Sequence, residues 1–143
     1  MIINTYKPAT DFLTLVELLQ WRAIYQPKKI AYTFLVDGET EEVHLTYEEL
    51  DRQARSIAIL LNSLNATGER ALLFYPPGLE FIAAFFGCLY AGVVAVPVYP
   101  PHRNQYLAKL QAIVTDAQAL FALTTTSLEP SLKKSPELAS LHY

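Results

Sequence analysis

Hydrophobic positions cluster most densely between Arg70 and Pro101, in RALLFYPPGLEFIAAFFGCLYAGVVAVPVYPP. Residues 71–75 form a short apolar run that Pro76-Pro77-Gly78 interrupts. Residues 79–91 are long enough for a helix, and residues 93–98 are rich in β-branched side chains before Tyr99-Pro100-Pro101 stops them. This order predicts one βαβ unit with a right-handed crossover. Both strand runs are continuously apolar rather than alternating, the pattern of parallel strands covered on both faces. Pro97 cannot donate to a ladder, so the second strand is expected to be short or to end early. Within the helix, Ile82, Phe85, Phe86 and Leu89 make a large surface. Ala84, Gly87, Cys88 and Ala91 make a small one, suited to close approach to a sheet.

Weaker rhythms flank this unit. Thr14-Leu15-Val16-Glu17 reads as a capping box, with Leu13 and Leu18 as its hydrophobic staple. That helix is expected to end near Gln26, because Pro27 cannot continue it. Residues 30–36 read as a strand, Asp37-Gly38 as a turn, and residues 42–45 as the hairpin partner. Thr46-Tyr47-Glu48-Glu49 is a second capping box, with Leu45 and Leu50 as its staple. Leu50, Ala54, Ile57, Ala58, Leu61 and Leu64 then recur at the helical period, while Asp51, Arg52, Arg55 and Asn62 fall away from that face. Residues 65–69, with Gly68, close the helix.

After Pro101, His102-Arg103-Asn104 opens a helix that carries Leu107, Leu110, Ile113, Val114 and Ala117 on one side. Residues 119–123 read as a third parallel strand, Thr124-Thr125-Thr126-Ser127 as a turn and helix cap, and residues 128–134 as a short helix before Pro136. The chain stops at Leu141-His142-Tyr143 without a closing signal and reads as the cut-off part of a larger domain.

Composition supports that last point. Charged residues are 17% of the 143, and apolar residues are 52%, against a usual charged share of ~25%. A small free-standing domain has proportionally more surface to keep wet. More protein, or a second copy of the chain, is therefore expected to cover an apolar flank. The net charge of −3 and the lack of a basic patch argue against a nucleic-acid partner. Residues 81–99 hold no charge, and as one helix they would reach across a bilayer core of roughly 30 Å. Gly92, the β-branched residues after it and the prolines on both sides favour helix then strand, so no membrane span is expected. The first residues lack the apolar core of a secretory signal, which makes a cytoplasmic location the expectation.

Candidate chemistry is sparse. Gly87 and Gly92 have the separation of P-loop glycines, but Val93-Val94 stand where lysine and a hydroxyl are needed. Thr124 to Ser127 offer hydroxyls after a strand without a glycine that would let N–H groups converge on an anion. His44, His102 and His142 are isolated, and Glu39, Glu41 and Glu42 read as a solvated turn. Cys88, the single cysteine, reads as a core hydrophobe. His102-Arg103 and Tyr75-Pro76-Pro77-Gly78 follow strand ends, where open α/β sheets take ligands. Each is also a simple helix start. No Ser/His/Asp set is present, so no residue is assigned a catalytic, cofactor-binding or metal role.

Two strings carry a family resemblance. Leu45-Thr46-Tyr47-Glu48-Glu49-Leu50 resembles the first core motif of adenylate-forming enzymes, the superfamily of acyl-CoA synthetases and peptide-synthetase adenylation domains. Leu89-Tyr90-Ala91-Gly92-Val93-Val94-Ala95-Val96-Pro97 resembles the second. The runs LVELLQWRAIYQP, TFLVDGETEEVHLTY and GERALLFYPPGLEFIAAFFGCLYAGVVAVPVYPP are similar to the fatty acyl-AMP ligase branch. The likeness extends from Phe12 to about Leu141.

It implies an α/β fold, the N-terminal portion of an adenylate-forming large domain. A flavodoxin-like parallel βαβαβ would be preceded by a helix and a β-hairpin. It implies activation of a fatty acid by ATP and magnesium to acyl-adenylate and pyrophosphate, then acyl transfer to the phosphopantetheine thiol of an acyl carrier protein. Polyketide or lipopeptide synthesis is the implied setting. The implied phosphate loop, ribose-binding aspartate, hinge and C-terminal domain would follow Tyr143. The 143 residues alone are then expected to be inactive and to hold neither ATP nor magnesium well. Their implied partners are the rest of the adenylation domain, the fatty acid and the carrier protein. A fatty acyl-CoA synthetase and a non-catalytic paralogue or interaction module are the alternatives.

Overall fold

Among the described residues, 71–74 are the best-buried stretch, at 0–1% exposure. The computed structural model describes residues 12–100 and 107–143. In chain order the elements are α1 (Leu15–Tyr25), β1 (Ile30–Leu35), β2 (Glu42–Thr46), α2 (Tyr47–Ser63), β3 (Arg70–Phe74) and α3 (Leu79–Ala91). Then come β4 (Val94–Val98), α4 (Leu107–Ala117), β5 (Phe121–Thr124), α5 (Glu129–Leu132) and a 3₁₀ turn at Pro136–Leu138. Strands β1 and β2 form the antiparallel hairpin, and β4-β3-β5 form a parallel sheet in that spatial order.

Both faces of β3 are covered, as its unbroken apolar run requires. Ala71 and Leu73 pack against Ala58 and Leu61 of α2 and Ala84, Cys88 and Ala91 of α3. Leu72 and Phe74 pack against Leu110 and Val114 of α4, Leu132 of α5, and Leu138 and Leu141. Burying a side chain the size of leucine or phenylalanine stabilises a fold by ~1.5–3 kcal/mol. The chain lays down β3, adds β4 on one side, then crosses back to add β5 on the other, the doubly wound arrangement.

Pro97 does not shorten β4, contrary to expectation. The Val94 N–H donates to the Glu69 carbonyl at 2.8 Å. Alternation then aims the backbone groups of Val96 and Val98 at β3 and those of Ala95 and Pro97 away from it. Pro97 lacks an N–H on the outer side of an edge strand, where no rung is lost, and β4 continues through Val98.

The corner between α3 and β4 is a Schellman motif. Val93 N–H donates to Cys88 at 2.9 Å, and Gly92 N–H to Leu89 at 3.2 Å. Gly92 sits at φ +68°, the left-handed region that favours glycine. The Thr67 hydroxyl donates to the Ala91 carbonyl at 3.0 Å, and Gly68 N–H donates to the Gly92 carbonyl at 2.9 Å. Helix α3 therefore ends at Ala91, and among the described residues no helix is long and apolar enough to cross a membrane.

The two predicted caps differ. At α2 the box is complete: Glu49 N–H donates to the Thr46 hydroxyl at 3.3 Å, and Glu49 Oε2 accepts the Thr46 N–H at 2.9 Å. The Thr46 hydroxyl also donates to that carboxylate, and the two bonds hold Glu49 below the usual carboxylate range. Leu45 and Leu50 are both buried in the same cluster. At α1 the Thr14 hydroxyl accepts the Glu17 N–H at 3.1 Å, while Glu17 Oε2 takes the N–H of Leu13 at 3.0 Å. Leu13 stays 91% exposed, so its expected staple with Leu18 is not formed.

Helices α2 and α3 meet more closely than the small face of α3 suggested. Ala84, Cys88 and Ala91 do face the sheet, but Gly87 faces α2. A Cβ on Gly87 would lie 2.5 Å from Ile57 Cγ2 and 2.6 Å from Ile57 Cβ. Beside this contact the Tyr90 hydroxyl donates to Asp51 at 2.7 Å, and Arg55 Nε donates to the other Asp51 oxygen at 2.7 Å. Burial and the Asp51 hydrogen bond push the Tyr90 hydroxyl above its ordinary range. Asp51 was expected on the outer face. Its side chain is only 15% exposed, because Tyr90 reaches it from the neighbouring helix.

The hairpin turn is held by one carboxylate. Asp37 Oδ1 accepts the N–H groups of Glu39, Thr40 and Glu41, each at 2.9 Å. These bonds hold Asp37 well below the usual carboxylate range. Glu39, Glu41 and Glu42 face solvent, as expected, and so does His44.

Gly87→Ala is expected to destabilise the protein by ~1–3 kcal/mol, because Ile57 has no room to yield without parting α2 from α3. Urea unfolding measures this, and an unchanged midpoint would show that the seam is looser than described. Thr46→Ala is expected to cost ~1 kcal/mol, with Thr46→Ser retaining most of the stability. The same unfolding experiment compares the two.

Candidate functional site

The three parallel strands end along one edge, and the segments that follow them frame two hollows. Between the ends of β3 and β4 lies an apolar slot of about 250 Å³, lined in part by Tyr75, Pro76, Pro77, Phe81, Val98 and Tyr99. Between the ends of β3 and β5 lies a more polar crevice of about 530 Å³. Its walls include Arg52, Gln53 and Ser56 of α2, Glu80 of α3, and Thr124, Thr125 and Thr126. This second hollow sits where the winding of the sheet reverses, the place at which open α/β sheets bind ligands. Tyr75 lines both, and burial pushes its hydroxyl up to about 12.

The edge is tied together by backbone and hydroxyl groups. The Thr124 hydroxyl donates to the Phe74 carbonyl at 2.9 Å and joins the ends of β5 and β3. The expected hydroxyl cap of the next helix is absent: Thr125 offers its main-chain carbonyl, which accepts the N–H groups of Leu128 and Glu129 at 3.0 Å each. The Thr125 and Ser127 hydroxyls pair with each other at 2.9 Å. The turn forms as expected, and the cap is made by a different atom.

The other sequence candidates scatter. Tyr75-Pro76-Pro77 does form the rim of an apolar pocket, while His102-Arg103 lies outside the described residues. His44 is on the hairpin, 3.0 Å from the Thr33 hydroxyl, and His142 lies beside β5. Gly87 and Gly92 belong to α3 and its terminus rather than to a phosphate-cradling loop. Cys88 is fully buried, and burial pushes its thiol up to about 11, which suppresses the reactive thiolate at neutral pH. Among the described residues there is no group of three or more His, Cys, Asp or Glu that could hold a metal ion. The crevice residues Arg52, Gln53 and Ser56 were not singled out by sequence reasoning. Their one signal is that they follow the second capping box on a helix whose apolar face points elsewhere.

The two motif strings are architectural. Residues 45–50 hold the capping box and staple of α2, and residues 89–97 hold the Schellman corner and most of β4. Residues 19–142 match the family described as AMP-binding enzyme. The medium-chain-fatty-acid–[acyl-carrier-protein] ligase JamA of Moorena producens (strain JHB) is 52% identical over 134 residues, covering 91% of this chain and 23% of that protein. Disco-interacting protein 2 homolog B of Mus musculus is 39% identical over 131 residues, covering 88% of this chain and 8% of that protein. A fatty acyl-adenylate ligase from L. pneumophila, solved in complex with acyl adenylate and pyrophosphate, superposes with a TM-score of 0.84 at 38% identity. That match covers 94% of this chain and 23% of the ligase. The chain thus spans less than a quarter of each of these relatives. It belongs to the AMP-binding enzymes, a family of ATP-dependent adenylate-forming ligases, and it matches the N-terminal part of the fatty acyl-AMP ligases among them.

Proposed function

We propose that residues 1–143 are the N-terminal part of the adenylation domain of a fatty acyl-AMP ligase. The whole enzyme activates a fatty acid with ATP and passes the acyl group to an acyl carrier protein. The observation that carries this reading is the match, over 94% of the chain, to a ligase held with acyl adenylate and pyrophosphate. The name of the JamA ligase supports a carrier protein as acceptor and a medium-length chain as substrate. In this reaction a carboxylate oxygen forms a bond to the α-phosphorus of ATP, and pyrophosphate leaves with the electrons of the broken bond. Positioning and charge stabilisation lower such a barrier. The described residues supply walls and framework for that chemistry, and none of them is assigned to the reacting atoms.

The exposed apolar residues fit this reading. Tyr99 is 80% and Ile59 70% exposed, surfaces that the remainder of the domain, or a second copy, would cover. A cytoplasmic location agrees with the ATP that the reaction consumes. A second reading, a non-catalytic interaction module, is favoured by the 39% identity to Disco-interacting protein 2 homolog B.

Fatty-acid-dependent exchange of pyrophosphate into ATP separates these readings. The protein translated through the reading frame beyond Tyr143 is expected to exchange with a medium- or long-chain fatty acid, and residues 1–143 alone are expected not to. Exchange by the 143 residues alone overturns the assignment of the reacting groups to later sequence. No exchange by the longer protein overturns the enzymatic reading in favour of the interaction module.

A further inference from the structure

A third hollow lies away from the carboxyl edge, between α1, the hairpin and the start of α2. It holds about 170 Å³ and shares no lining residue with the slot or the crevice. Its floor is buried, with Leu19, Leu50 and Phe86 only 1–9% exposed. Its mouth faces water, where Leu15 is 52% and Tyr32 38% exposed.

One wall of this hollow carries a positive charge. Arg22 is half-buried, and its guanidinium lies 5.5 Å from the centre of the Trp21 ring and 5.6 Å from that of Tyr47. Its Nη1 donates to Gln26 Oε1 at 2.6 Å, one turn further along α1. Among the described residues no carboxylate pairs with Arg22. The acids of α1 and of the first turns of α2 are engaged elsewhere. Glu17 takes the Leu13 N–H, Glu48 pairs with Lys28, Glu49 caps at Thr46, and Asp51 holds Arg55 and Tyr90.

A long cationic side chain that only covers apolar surface extends its head into water. Arg22 instead keeps its head against two rings and a side-chain amide. Contact with the rings takes water from the guanidinium, which strengthens its attraction for an anion. A carboxylate has the two oxygens that match the remaining N–H groups of the flat fork. A hydrocarbon tail attached to it would add dispersion contacts to Leu19, Leu50 and Phe86.

We infer that this hollow is a binding site for a short-chain monocarboxylate, its carboxylate on Arg22 and its tail over Leu19, Leu50 and Phe86. The charge selects the head group, and the volume selects the tail. An apolar cavity of ~150 Å³ takes up benzene, so this one has room for about six carbons. The inference does not depend on the ligase reading, because none of these residues belongs to the carboxyl edge.

Titration with hexanoate tests this on the protein translated through its full reading frame, followed by the methyl resonances of Leu18, Leu19 and Leu50. An excess of a non-hydrolysable acyl-adenylate analogue is present throughout, so that an adenylating site cannot cause the shifts. Saturable shifts are expected, with a dissociation constant on the order of 1 mM. Hexanol, which lacks the charge, and acetate, which lacks the tail, are each expected to bind roughly tenfold more weakly or worse. Arg22→Gln is expected to weaken hexanoate roughly tenfold and to leave hexanol unchanged. Leu18→Phe, which fills the hollow from α1, is expected to abolish binding of both. The absence of saturable shifts at these leucines in the unaltered protein overturns the inference without any variant. Hexanol binding as tightly as hexanoate also overturns it, as does hexanoate binding that Arg22→Gln leaves unchanged. Hexanoate binding by a protein that fails pyrophosphate exchange supports this site and separates it from the enzymatic reading.

Discussion

Everything in this fold answers to one constraint: β3 presents apolar side chains to both sides, so it must have a layer on each. Ala71 and Leu73 need α2 and α3, and Leu72 and Phe74 need α4, α5 and the 3₁₀ turn. A strand covered in this way sits at the centre of a parallel sheet, and parallel neighbours require helical crossovers. The order β4-β3-β5 follows from putting one crossover on each face. So does the reversal of winding, and with it the crevice beside Thr124.

The second layer of order is how α2 and α3 are kept on their side. They approach so closely that Gly87 has no space for a methyl group, and the polar triad of Asp51, Arg55 and Tyr90 closes the seam at its edge. Arg55 also lies over the Tyr90 ring, 5.7 Å from its centre. The Schellman corner at Gly92 and the Thr67 hydroxyl then fix where α3 stops and β4 begins. The two motif strings that mark the family are the cap that starts α2 and the corner that ends α3. They set the position of the layer over the sheet, and through it the position of Arg52, Gln53 and Ser56.

Most of the architecture was legible because it rests on local chemistry. Prolines, glycines and β-branched residues marked the βαβ unit, and α3 ends at the predicted residue, Ala91. The capping box at Thr46 is visible in four consecutive letters. Features that depend on distant partners were not legible. Asp51 lies one residue from Leu50 at the margin of the apolar face, and its partner Tyr90 is 39 residues away. Leu13 had the spacing of a staple, but Glu17 took its N–H and the side chain remained outside. The crevice required the strand order, since Thr124 to Thr126 gain meaning only once β5 is known to lie beside β3. His142 was an isolated histidine in the sequence, and its place beside β5 came from pairing with Phe121.

The central claim is that β3 is the covered middle strand of a layered sheet. Amide hydrogen exchange of Leu72 and Leu73 tests it most directly. The account predicts that these two amides are among the slowest in the protein and open only with global unfolding. Exchange there as fast as at the exposed hairpin turn around Asp37 would contradict it.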